Sequence, residues 1–459
     1  MKILFIIHDY HQNRNSFPMG VAYLSSVLLE KGYEVEIYNM AVYHYTIDQL
    51  IAHLKKNHFD AIGIGFICGY YSYRQVVQIC NAINSLKDRP PIILGGHGPA
   101  PDPEYFLKTL NADFVSLGEA ELTLPGLLHV ISEKSSFENI PGFVYRDGDS
   151  IFFNEKVPPV MDLDLLPFPA WDLFPMEAYI VNHAEPSKPT DRFGNIFSSR
   201  GCPYTCSFCY RMEESIRMRS VDNVMEEMGI MIDKFNINYF QFQDELCMIS
   251  EKRILEICDG IEKNKFKVEF YLNGRLNIVT KNIVKRLKEV GCRFINYGVE
   301  SADENVLRQM NKKLTLEQIH KGLQITIDSG IEPGVNILFG NPGDTKESFQ
   351  KSYELLKKYN TYCQCRTIKP VSPFPGTPLF NYAIEKGLLR DTGDFYKKHT
   401  NSDRFTVNFS YVSDEEAYEM LFEANKQLIG EYHKRKADSH IEGLHCLFFE
   451  GATSFRGVR

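Results

Sequence analysis

The chain has 459 residues, which is too long for one hydrophobic core and long enough for two or three domains. Its composition, 44% hydrophobic and 24% charged, is that of a globular protein and excludes a disordered or low-complexity chain. The formal net charge of −8 argues against broad electrostatic binding to nucleic acid or anionic lipid, and no apolar run approaches the roughly 20 residues that span a bilayer.

The first apolar run, residues 3–7, ends at His8 and Asp9, so it predicts a β-strand rather than a signal peptide. Without an export signal we expect a cytoplasmic protein, in which thiols stay reduced. Disulfides are not expected there, and clustered cysteines point to a metal centre or to catalysis. Three of the eleven cysteines are clustered, and the other eight are scattered or weakly spaced.

Residues 1–138 alternate short β-branched runs with helical patterns. The predicted strands are residues 3–7, 35–38, 61–66, 92–94 and 114–116. This alternation predicts a doubly wound, Rossmann-like α/β sheet of five parallel strands with helices on both faces. Ligands bind such a sheet beyond the carboxyl ends of its strands, where the glycine-containing turns of this chain lie.

Prolines recur in residues 139–190 and exclude long helices, so we predict a linker with a hairpin at Asp147-Gly148. The alternation resumes over residues 191–401. The predicted strands there are residues 195–199, 239–243, 268–272, 294–298, 335–339 and 367–371. Six β/α units are fewer than the eight of a closed barrel, so we predict an open, partial (β/α)6 TIM-like barrel with its active site at the strand C-termini. Residues 402–459 are predicted to be mainly helical.

Cys202, Cys206 and Cys209 lie on one loop directly after a predicted strand. Three thiolates satisfy three irons of a [4Fe–4S] cluster and leave the fourth iron open to a substrate or cofactor. The alternative is a zinc site, which usually needs four protein ligands. No second cysteine pair follows at a suitable spacing, and Cys247 is isolated, so the pattern favours the cluster.

The spacing CxxxCxxC, with Phe208 before the last cysteine, resembles the radical S-adenosylmethionine (SAM) superfamily, and the resemblance extends over most of the chain. It implies that the open iron binds SAM, which one-electron reduction cleaves to methionine and a 5′-deoxyadenosyl radical. The SAM-binding residues implied by the resemblance are Phe208, Asn273, Arg275, Glu300, Ser301, Gly340 and Pro342. Taken alone, Glu300 is also compatible with an acid at a helix start, and Arg275 with a surface arginine. No catalytic residue is assigned.

The dinucleotide fingerprint G-x-G-x-x-G is absent after the first strand, which disfavours NAD and FAD but leaves other ligands open. Segments such as Gly95-Gly96-His97 resemble the cobalamin-binding domains that are fused to radical enzymes. The cobalamin-binding residues implied by this resemblance are Pro18, Gly20, Gly65, Gly95, Gly96, His97, Gly118 and Glu119. The D-x-H-x-x-G motif that supplies a lower axial histidine in other corrinoid proteins is not matched. His97 could be a lower-face neighbour of cobalt or a residue of a turn.

Together these resemblances imply a cobalamin-dependent radical SAM enzyme with a [4Fe–4S] cluster. The leading reaction is methylation of an unactivated carbon, or of phosphorus, in a small molecule or lipid through the 5′-deoxyadenosyl radical and methylcobalamin. The alternative of the same class is an oxidative cyclisation or rearrangement without methyl transfer. Alternatives of other classes are a methylthiotransferase of RNA or protein and a cobalamin or iron–sulfur sensor. A reduced ferredoxin or flavodoxin is the expected electron donor, and no nucleic-acid partner is expected.

Overall fold

The structure, a computed structural model, describes residues 1–9, 16–67, 69–138, 140–181, 188 and 190–451. His11, which follows the first predicted strand where the D-x-H-x-x-G motif is not matched, lies outside the described residues. The chain divides into two compact units, which are described in turn. The first unit comprises Met1–Asn273 and Ser372–Val407, and the second comprises Gly274–Val371 and Asn408–Arg459.

The first unit begins with a seven-stranded sheet, named here the front sheet. Its strands are β1 (Lys2–Ile7), β2 (Glu34–Asn39), β3 (Ala61–Gly65), β4 (Ile92–Gly95), β5 (Phe114–Ser116), β6 (Phe143–Asp147) and β7 (Ser150–Phe153). The helices between them are α1 (Met19–Glu30), α2 (Met40–Tyr43), α3 (Ile47–Lys56), α4 (Tyr70–Asn84), α5 (Pro103–Leu110) and α6 (Leu124–Glu133). The strand order is β2-β1-β3-β4-β5-β6-β7, and the first five strands are parallel.

The front sheet is α/β and doubly wound, as the sequence predicts. Five of the six residues of β1 are buried, because helices cover a parallel sheet and its central strands become continuous apolar runs. The hairpin at Asp147-Gly148 is present, but it does not stand apart in a linker. Its first strand, β6, pairs antiparallel with β5, with Phe143 opposite Ser116. Its second strand, β7, pairs antiparallel with β6, so the hairpin adds two strands to the front sheet.

Aromatic side chains attach the proline-rich segment after β7 to the start of α1. This segment holds two short 3-10 helices, Leu163–Leu165 and Trp171–Leu173, and α7 (Met176–Ile180). The ring of Phe17 lies 4.7 Å from that of Trp171 and 4.9 Å from that of Phe174, between centroids. The segment is therefore packed against the front sheet despite its lack of long helices.

The β/α alternation resumes after residue 190. Its elements within the first unit are β8 (Phe193–Ile196), β9 (Ser199–Arg200), β10 (Arg217–Met218), α8 (Val221–Phe235), β11 (Tyr239–Phe242), α9 (Glu251–Lys263) and β12 (Glu269–Gly274). Strand β11 pairs parallel with β8 on one side and with β12 on the other. Both long helices begin at serine N-caps, Ser220 and Ser250, whose hydroxyls accept backbone N–H groups of the first turn.

The second unit continues the same alternation. Its elements are the 3-10 helix Leu276–Ile278, α10 (Lys281–Glu289), β13 (Cys292–Glu300), α11 (Glu304–Gln309), α12 (Leu316–Asp328), β14 (Glu332–Phe339), α13 (Lys346–Tyr359) and β15 (Lys369–Pro370). Strand β14 pairs parallel with β13 and with β15. The six predicted strands of the second half of the chain are therefore all present, three in each unit.

Strand β15 is shorter than the predicted run of residues 367–371, because a side chain takes the backbone groups that would lengthen it. The Asn425 amide accepts a hydrogen bond from the N–H of Ile368 at 2.8 Å and donates one to its carbonyl at 3.0 Å. A strand cannot extend its ladder through groups that are already bonded.

The chain returns to the first unit with α14 (Pro378–Glu385) and α15 (Thr392–Lys398), and it ends in the second with α16 (Asp414–Phe449). The helix α16 has 36 residues, in line with the predicted helical C-terminal region. One stripe of it is buried, at Ala417, Leu421, Ala424, Leu428 and Tyr432. In the described part of the chain, no helix has both the length and the apolar character needed to cross a membrane.

Candidate active site

The predicted cluster cysteines lie on a loop, residues 201–216, named here the cysteine loop. It begins directly after β9 and ends directly before β10, and Arg200 and Arg217 face each other in this short antiparallel ladder. Gly201 begins the loop at a φ of +87°, and a Cβ at this position would collide with the carbonyl oxygen of Ser215. Only glycine combines this backbone angle with so close an approach, so the geometry of the turn requires a glycine directly before Cys202.

The three thiols range from the interior of the loop to its surface. Cys206 is buried, Cys202 is half-buried and Cys209 is exposed. The N–H of Cys209 donates to the carbonyl of Cys206 at 3.1 Å, which closes a tight turn between the last two cysteines. Phe208, predicted to pack near adenine, lies half-buried inside this turn.

The donor set fits an iron–sulfur cluster better than zinc. Within the described residues, no group of three or more His, Cys, Asp or Glu side chains is gathered around a single metal-ion position. Sulfurs that share one zinc ion lie about 2.3 Å from it and are therefore close neighbours. The thiolates of a [4Fe–4S] cluster bind three different irons and stand further apart, so three thiols spread over one loop are compatible with the cluster.

The turn before α14 packs against the cysteine loop. The N–H of Leu379 donates to the carbonyl of Ser207 at 2.8 Å. A Cβ on Gly376 would lie 2.7 Å from the ring of Tyr210, so the turn touches the residue after Cys209. The ring of His97, from the loop after β4, lies 5.5 Å from that of Tyr210 in an edge-to-face contact. The cysteine loop is thus packed between this turn and the loop after β4.

Two arginines at the base of the cysteine loop are bound by acids of the loop after β5. The Arg217 guanidinium donates to both carboxylate oxygens of Glu119, at 2.9 and 2.6 Å. Arg200 pairs with Glu119 at 3.2 Å and with Glu121 at 2.8 Å, and its guanidinium lies over the ring of Tyr23 at 4.9 Å. These side chains form one ionic network inside the first unit.

Glu119 is an ionised, arginine-bound carboxylate. Burial by itself would raise its pKa, but the hydrogen bonds from Arg217 and the charge of Arg200 outweigh burial and hold the pKa below its usual value. The sequence analysis places Glu119 among the cobalamin-binding residues, whereas the structure places its side chain on two arginines. Neither these arginines nor Glu121 were singled out from the sequence.

The ends of β8, β11 and β12 are joined by side-chain hydrogen bonds. Asp244 accepts from the N–H and the hydroxyl of Ser198, at 2.6 and 2.5 Å, and from the hydroxyl of Ser199 at 3.0 Å. Burial raises the pKa of Asp244 despite these bonds. Asn273, a predicted SAM residue, lies at the end of β12 and donates to the Asp244 carbonyl at 2.9 Å. This network fixes the strand ends beside the cysteine loop.

Glycines form the carboxyl edge of the front sheet at the positions predicted for cobalamin. Gly65 and Gly95 end β3 and β4, and a Cβ on either would meet its nearest neighbour only at 3.9 Å. Gly96 has a φ of +92°, and a Cβ there would lie 2.7 Å from the carbonyl oxygen of Phe66. His97 follows, and burial lowers its pKa, so its ring is neutral near pH 7. The edge therefore offers backbone and a neutral imidazole to a ligand.

The other predicted cobalamin residues lie at the start of α1 and in the loop after β5. Pro18 is the N-cap of α1, and Gly20 is exposed in its first turn with no atom within 4 Å of a Cβ position. Gly118 is crowded, because a Cβ there would lie 2.8 Å from a carboxylate oxygen of Glu213 and 3.0 Å from the Lys156 chain. The room at these positions differs, and Gly20 has the most open surroundings.

In the second unit, the predicted SAM residue Glu300 forms a buried ion pair. Its carboxylate lies 3.0 Å from the ammonium of Lys312, and both side chains are about nine-tenths buried. Glu300 has a φ of +71°, and a Cβ on Gly298 would collide with this pair. Arg275 donates to the carbonyls of Lys312 and Lys313. Lys312 was not singled out from the sequence, and it connects the two predicted SAM residues, Glu300 and Arg275.

The remaining predicted SAM residues follow β13 and β14. The Ser301 hydroxyl is buried and accepts from the N–H of Asp303, the N-cap of α11. Gly340 directly follows β14, and its N–H donates at 3.0 Å to the carboxylate of Asp344. Burial raises the pKa of Asp344 to about 6. Pro342 lies half-buried between them. The turn after β14 is therefore held closed by Asp344.

Comparison with known proteins identifies both halves of the chain. The sequence profile of the B12 binding domain matches residues 14–128, and that of the Radical SAM superfamily matches residues 196–356. An uncharacterized methyltransferase of Pyrococcus horikoshii, PH0819, is 26% identical over 412 residues, which cover 89% of this chain and 86% of that protein. An anaerobic magnesium-protoporphyrin IX monomethyl ester cyclase of Rubrivivax gelatinosus is 25% identical over 412 residues, which cover 86% of this chain and 72% of that protein.

A solved structure confirms the predicted fold class. The radical SAM methyltransferase TsrM from Kitasatospora setae, with cobalamin and a [4Fe–4S] cluster bound, superposes with a TM-score of 0.68 at 18% identity, covering 84% of this chain and 74% of that chain. The two domain matches confirm the predicted cofactors, a [4Fe–4S] cluster, SAM and cobalamin. The chain therefore combines a B12-binding domain with a radical SAM domain, the pair of domains that the sequence predicts.

Proposed function

We propose that this enzyme methylates an unactivated carbon, or a phosphorus, of a small molecule or lipid. One observation supports it most. His97, predicted for cobalamin, contacts Tyr210, and Tyr210 directly follows Cys209, predicted for the cluster. A methyl donor and a radical source must serve one substrate atom, and this contact joins the two loops that would hold them.

The three cofactors supply the reactive chemistry when bound, a carbon-centred radical from SAM at the cluster and a methyl group from the corrinoid. The chain supplies position. Cys202, Cys206 and Cys209 would hold the cluster, and the glycines at Gly65 and Gly95 would let a planar corrinoid approach the backbone of the front sheet. Glu300 would accept hydrogen bonds from the ribose hydroxyls of SAM, since a carboxylate can accept from both groups of a diol.

The second candidate is an oxidative cyclisation or rearrangement in which no methyl group is transferred. The similarity to the Rubrivivax gelatinosus cyclase favours it, because that relative matches 86% of this chain at 25% identity. The first relative has a methyltransferase name, a similar identity and a larger share of its own length matched, 86% against 72%. We therefore rank methyl transfer first.

Both candidates need an electron for the cluster. We propose a reduced ferredoxin or flavodoxin as the donor, and the cytoplasm, where thiols stay reduced, as the working compartment. Cys209 is the exposed thiol of the three. A small donor could approach the cluster from this side of the cysteine loop.

The test uses the enzyme reconstituted without oxygen, with cobalamin and SAM that carries a trideuterated methyl group. A methyltransferase is expected to form S-adenosylhomocysteine and to place the deuterated methyl group on the extracted corrinoid, both measured by mass spectrometry. This readout needs no knowledge of the substrate. Under reducing conditions the enzyme is also expected to form 5′-deoxyadenosine.

The control is the variant Cys206→Ser, which removes the buried thiol. It is expected to bind less iron and to form no 5′-deoxyadenosine. Cys446→Ser, in the last turn of α16, is expected to behave like the unmodified enzyme. Formation of 5′-deoxyadenosine with no label on the corrinoid would contradict methyl transfer and favour the cyclase-like candidate. Unchanged 5′-deoxyadenosine in Cys206→Ser would contradict the cluster site.

A further inference from the structure

We infer that Glu119 and Glu121 are positioning residues for the cysteine loop, and that Glu119 does not bind the corrinoid through its side chain. The four residues Glu119, Glu121, Arg200 and Arg217 are named here the base clamp. This inference rests on the proposed role of the cysteine loop as the site of the cluster. It assigns to the base clamp the task of holding the two ends of that loop in place.

The position of the two arginines is the first support. Arg200 immediately precedes the cysteine loop and Arg217 immediately follows it, and the two face each other in the β9–β10 ladder. Every change in the separation of these residues is a change in the width of the loop base. One carboxylate, that of Glu119, accepts from both of them. Glu119 therefore fixes both ends of the loop at once.

The burial of the clamp is the second support. The Arg217 side chain is only 2% exposed and that of Glu121 only 5%, so neither charge can turn to water if its partner is removed. Removing one partner of a buried ion pair leaves an uncompensated charge, which is far costlier than losing an exposed pair. Arg217 also donates to the carbonyl of Val160 at 2.7 Å. The clamp is therefore a rigid connection.

A comparison of neighbouring arginines is the third support. Arg219, two residues after Arg217, is also buried, but it pairs with Glu227 of α8, a residue of its own β/α unit. Arg200 and Arg217 instead reach the loop after β5 of the front sheet. The arginines that flank the cysteine loop are thus the ones whose carboxylate partners lie in the loop after β5, whereas Arg219 reaches α1 through the Tyr23 hydroxyl, at 3.5 Å.

A second connection lies beside the clamp. The ammonium of Lys156, just after β7, pairs with Glu213 at 2.9 Å and donates to the carbonyl of Met212 at 2.9 Å. Both partners are in the cysteine loop. The front sheet therefore holds the base of the loop through the clamp and its second half through Lys156, so the corrinoid-side loops and the cysteine loop cannot shift independently.

The experiment compares Glu119→Gln with the matched control Glu104→Gln. Glutamine keeps the size of Glu119 but removes the charge that both arginines need, whereas Glu104 makes an exposed pair with Lys108 one turn along α5. Four quantities are measured in oxygen-free protein. The first two are the amide hydrogen exchange of residues 201–216 before cofactors are added and the Kd for hydroxocobalamin. The other two are the rate of 5′-deoxyadenosine formation and the electron paramagnetic resonance spectrum of the reduced cluster.

In Glu119→Gln we expect exchange in the cysteine loop to rise at least about fivefold and 5′-deoxyadenosine formation to fall about tenfold or more, the usual size of an outer-shell effect. The spectrum of the reduced cluster with SAM is expected to change shape, which a purely structural loss elsewhere would not cause. The Kd for hydroxocobalamin is expected to stay within about twofold of the control, because the carboxylate is not a corrinoid ligand.

Two results would overturn the inference. A Kd for hydroxocobalamin that rises about tenfold, with normal exchange and normal SAM cleavage, would make Glu119 a corrinoid ligand. Agreement of all these quantities with those of Glu104→Gln would show that the base clamp does not position the cysteine loop. If Glu119→Gln does not fold, Glu121→Gln is measured instead. It removes one of the two carboxylates that pair with Arg200, leaves the pair of Arg217 intact, and is subject to the same criteria. Exchange and cobalamin affinity need no substrate, so a failure of the proposed methyl transfer would not imitate either result.

Discussion

The carboxyl edge of the front sheet and the strand ends beside the cysteine loop are both predicted ligand-binding edges, but they are built from different groups. At the front edge, Gly65 and Gly95 present backbone with no side chain in the way. At the ends of β8 and β11, by contrast, Ser198 and Asp244 form a buried network of short hydrogen bonds. Ligands of parallel sheets bind at such carboxyl ends in both cases.

The difference shows how each edge would respond to mutation. A broad, planar ligand such as a corrinoid would bind to the front edge through steric fit. Its affinity should therefore fall when volume is added there and change little when a charge is removed. The strand ends near the cysteine loop, and Glu300 in the second unit, are met by hydrogen bonds and charge. They should be sensitive to substitutions that keep volume and remove a charge.

The largest expected effect comes from adding volume to the front edge. In Gly65→Val the Cβ itself fits, since its nearest neighbour, a methyl group of Val21, would be 3.9 Å away, but the two methyl groups add volume at the carboxyl edge of the front sheet. We expect the Kd for hydroxocobalamin to rise at least about thirtyfold, about 2 kcal/mol, while 5′-deoxyadenosine formation stays near that of the unmodified enzyme. Absorbance titration and product analysis measure the two.

The matched control is Gly126→Val, at an exposed position of α6 where no atom lies within 4 Å of a Cβ. It carries the same change of residue in the same sheet domain, away from the carboxyl edge. Equal cobalamin affinity in Gly65→Val and Gly126→Val would contradict a corrinoid at this edge.

A smaller effect is expected from removing a charge in the second unit. Lys312→Met keeps the length of the side chain but leaves the buried Glu300 carboxylate without its cation, and a buried charge without its partner is strongly destabilising. We expect the Kd for SAM to rise about tenfold, from the loss of one charge-assisted interaction, and Lys312→Arg to restore most of the affinity.

The control for this change is Lys351→Met, whose ammonium pairs with Asp303 while remaining more than half exposed. Exposed pairs contribute little, so SAM affinity should not change. Tighter SAM binding by Lys312→Met would show that Lys312 competes with the ribose for Glu300, and would reverse the role assigned to it.

How far the sequence predicts these features depends on how local each one is. Strand β1 is predicted at residues 3–7 and observed at Lys2–Ile7, because a β-branched run ended by polar residues is a local pattern. The hairpin turn at Asp147-Gly148 is equally local, but the pairing of β6 with β5 is not. The shortening of β15 depends on Asn425, which lies 57 residues from Ile368 in sequence and could not be paired with it by inspection.

The same distinction applies to the candidate site. The three thiols lie within eight residues, so their spacing alone predicts a shared loop. Glu119 and Arg217 are 98 residues apart, and a single sequence gives no sign that they meet. Lys312 is only 12 residues from Glu300. Glu300 lies at the bulge in β13 and has a left-handed backbone, a local geometry that the sequence does not indicate.

The change expected to affect cofactor binding least acts on stability instead, and it tests the packing of the turn before α14, whose Phe374 ring lies 5.4 Å from the ring of His399. His399 is 1% exposed at the end of α15; its Nδ1 bonds to Thr406 at 2.7 Å, and its Nε2 has no hydrogen-bond partner among the described residues. Burial lowers its pKa from 6.5 to about 4, so the folded protein holds it neutral while the unfolded chain protonates below pH 6.5. Its contribution to stability is therefore complete above pH 6.5 and is lost as the pH falls towards 4, by about 3 kcal/mol in all.

His399→Asn keeps a hydrogen-bonding group near the Nδ1 position and cannot take up this proton. Urea unfolding of both proteins at pH 7, 6 and 5 should therefore show a free energy of unfolding that falls more steeply with acidification in the unmodified protein, by about 2 kcal/mol at pH 5. The exposed His129 of α6 serves as the control, since His129→Asn should leave the slope unchanged. Parallel pH profiles for His399→Asn and the unmodified protein would show that His399 is protonated in the fold, and that water reaches the turn against which the cysteine loop packs.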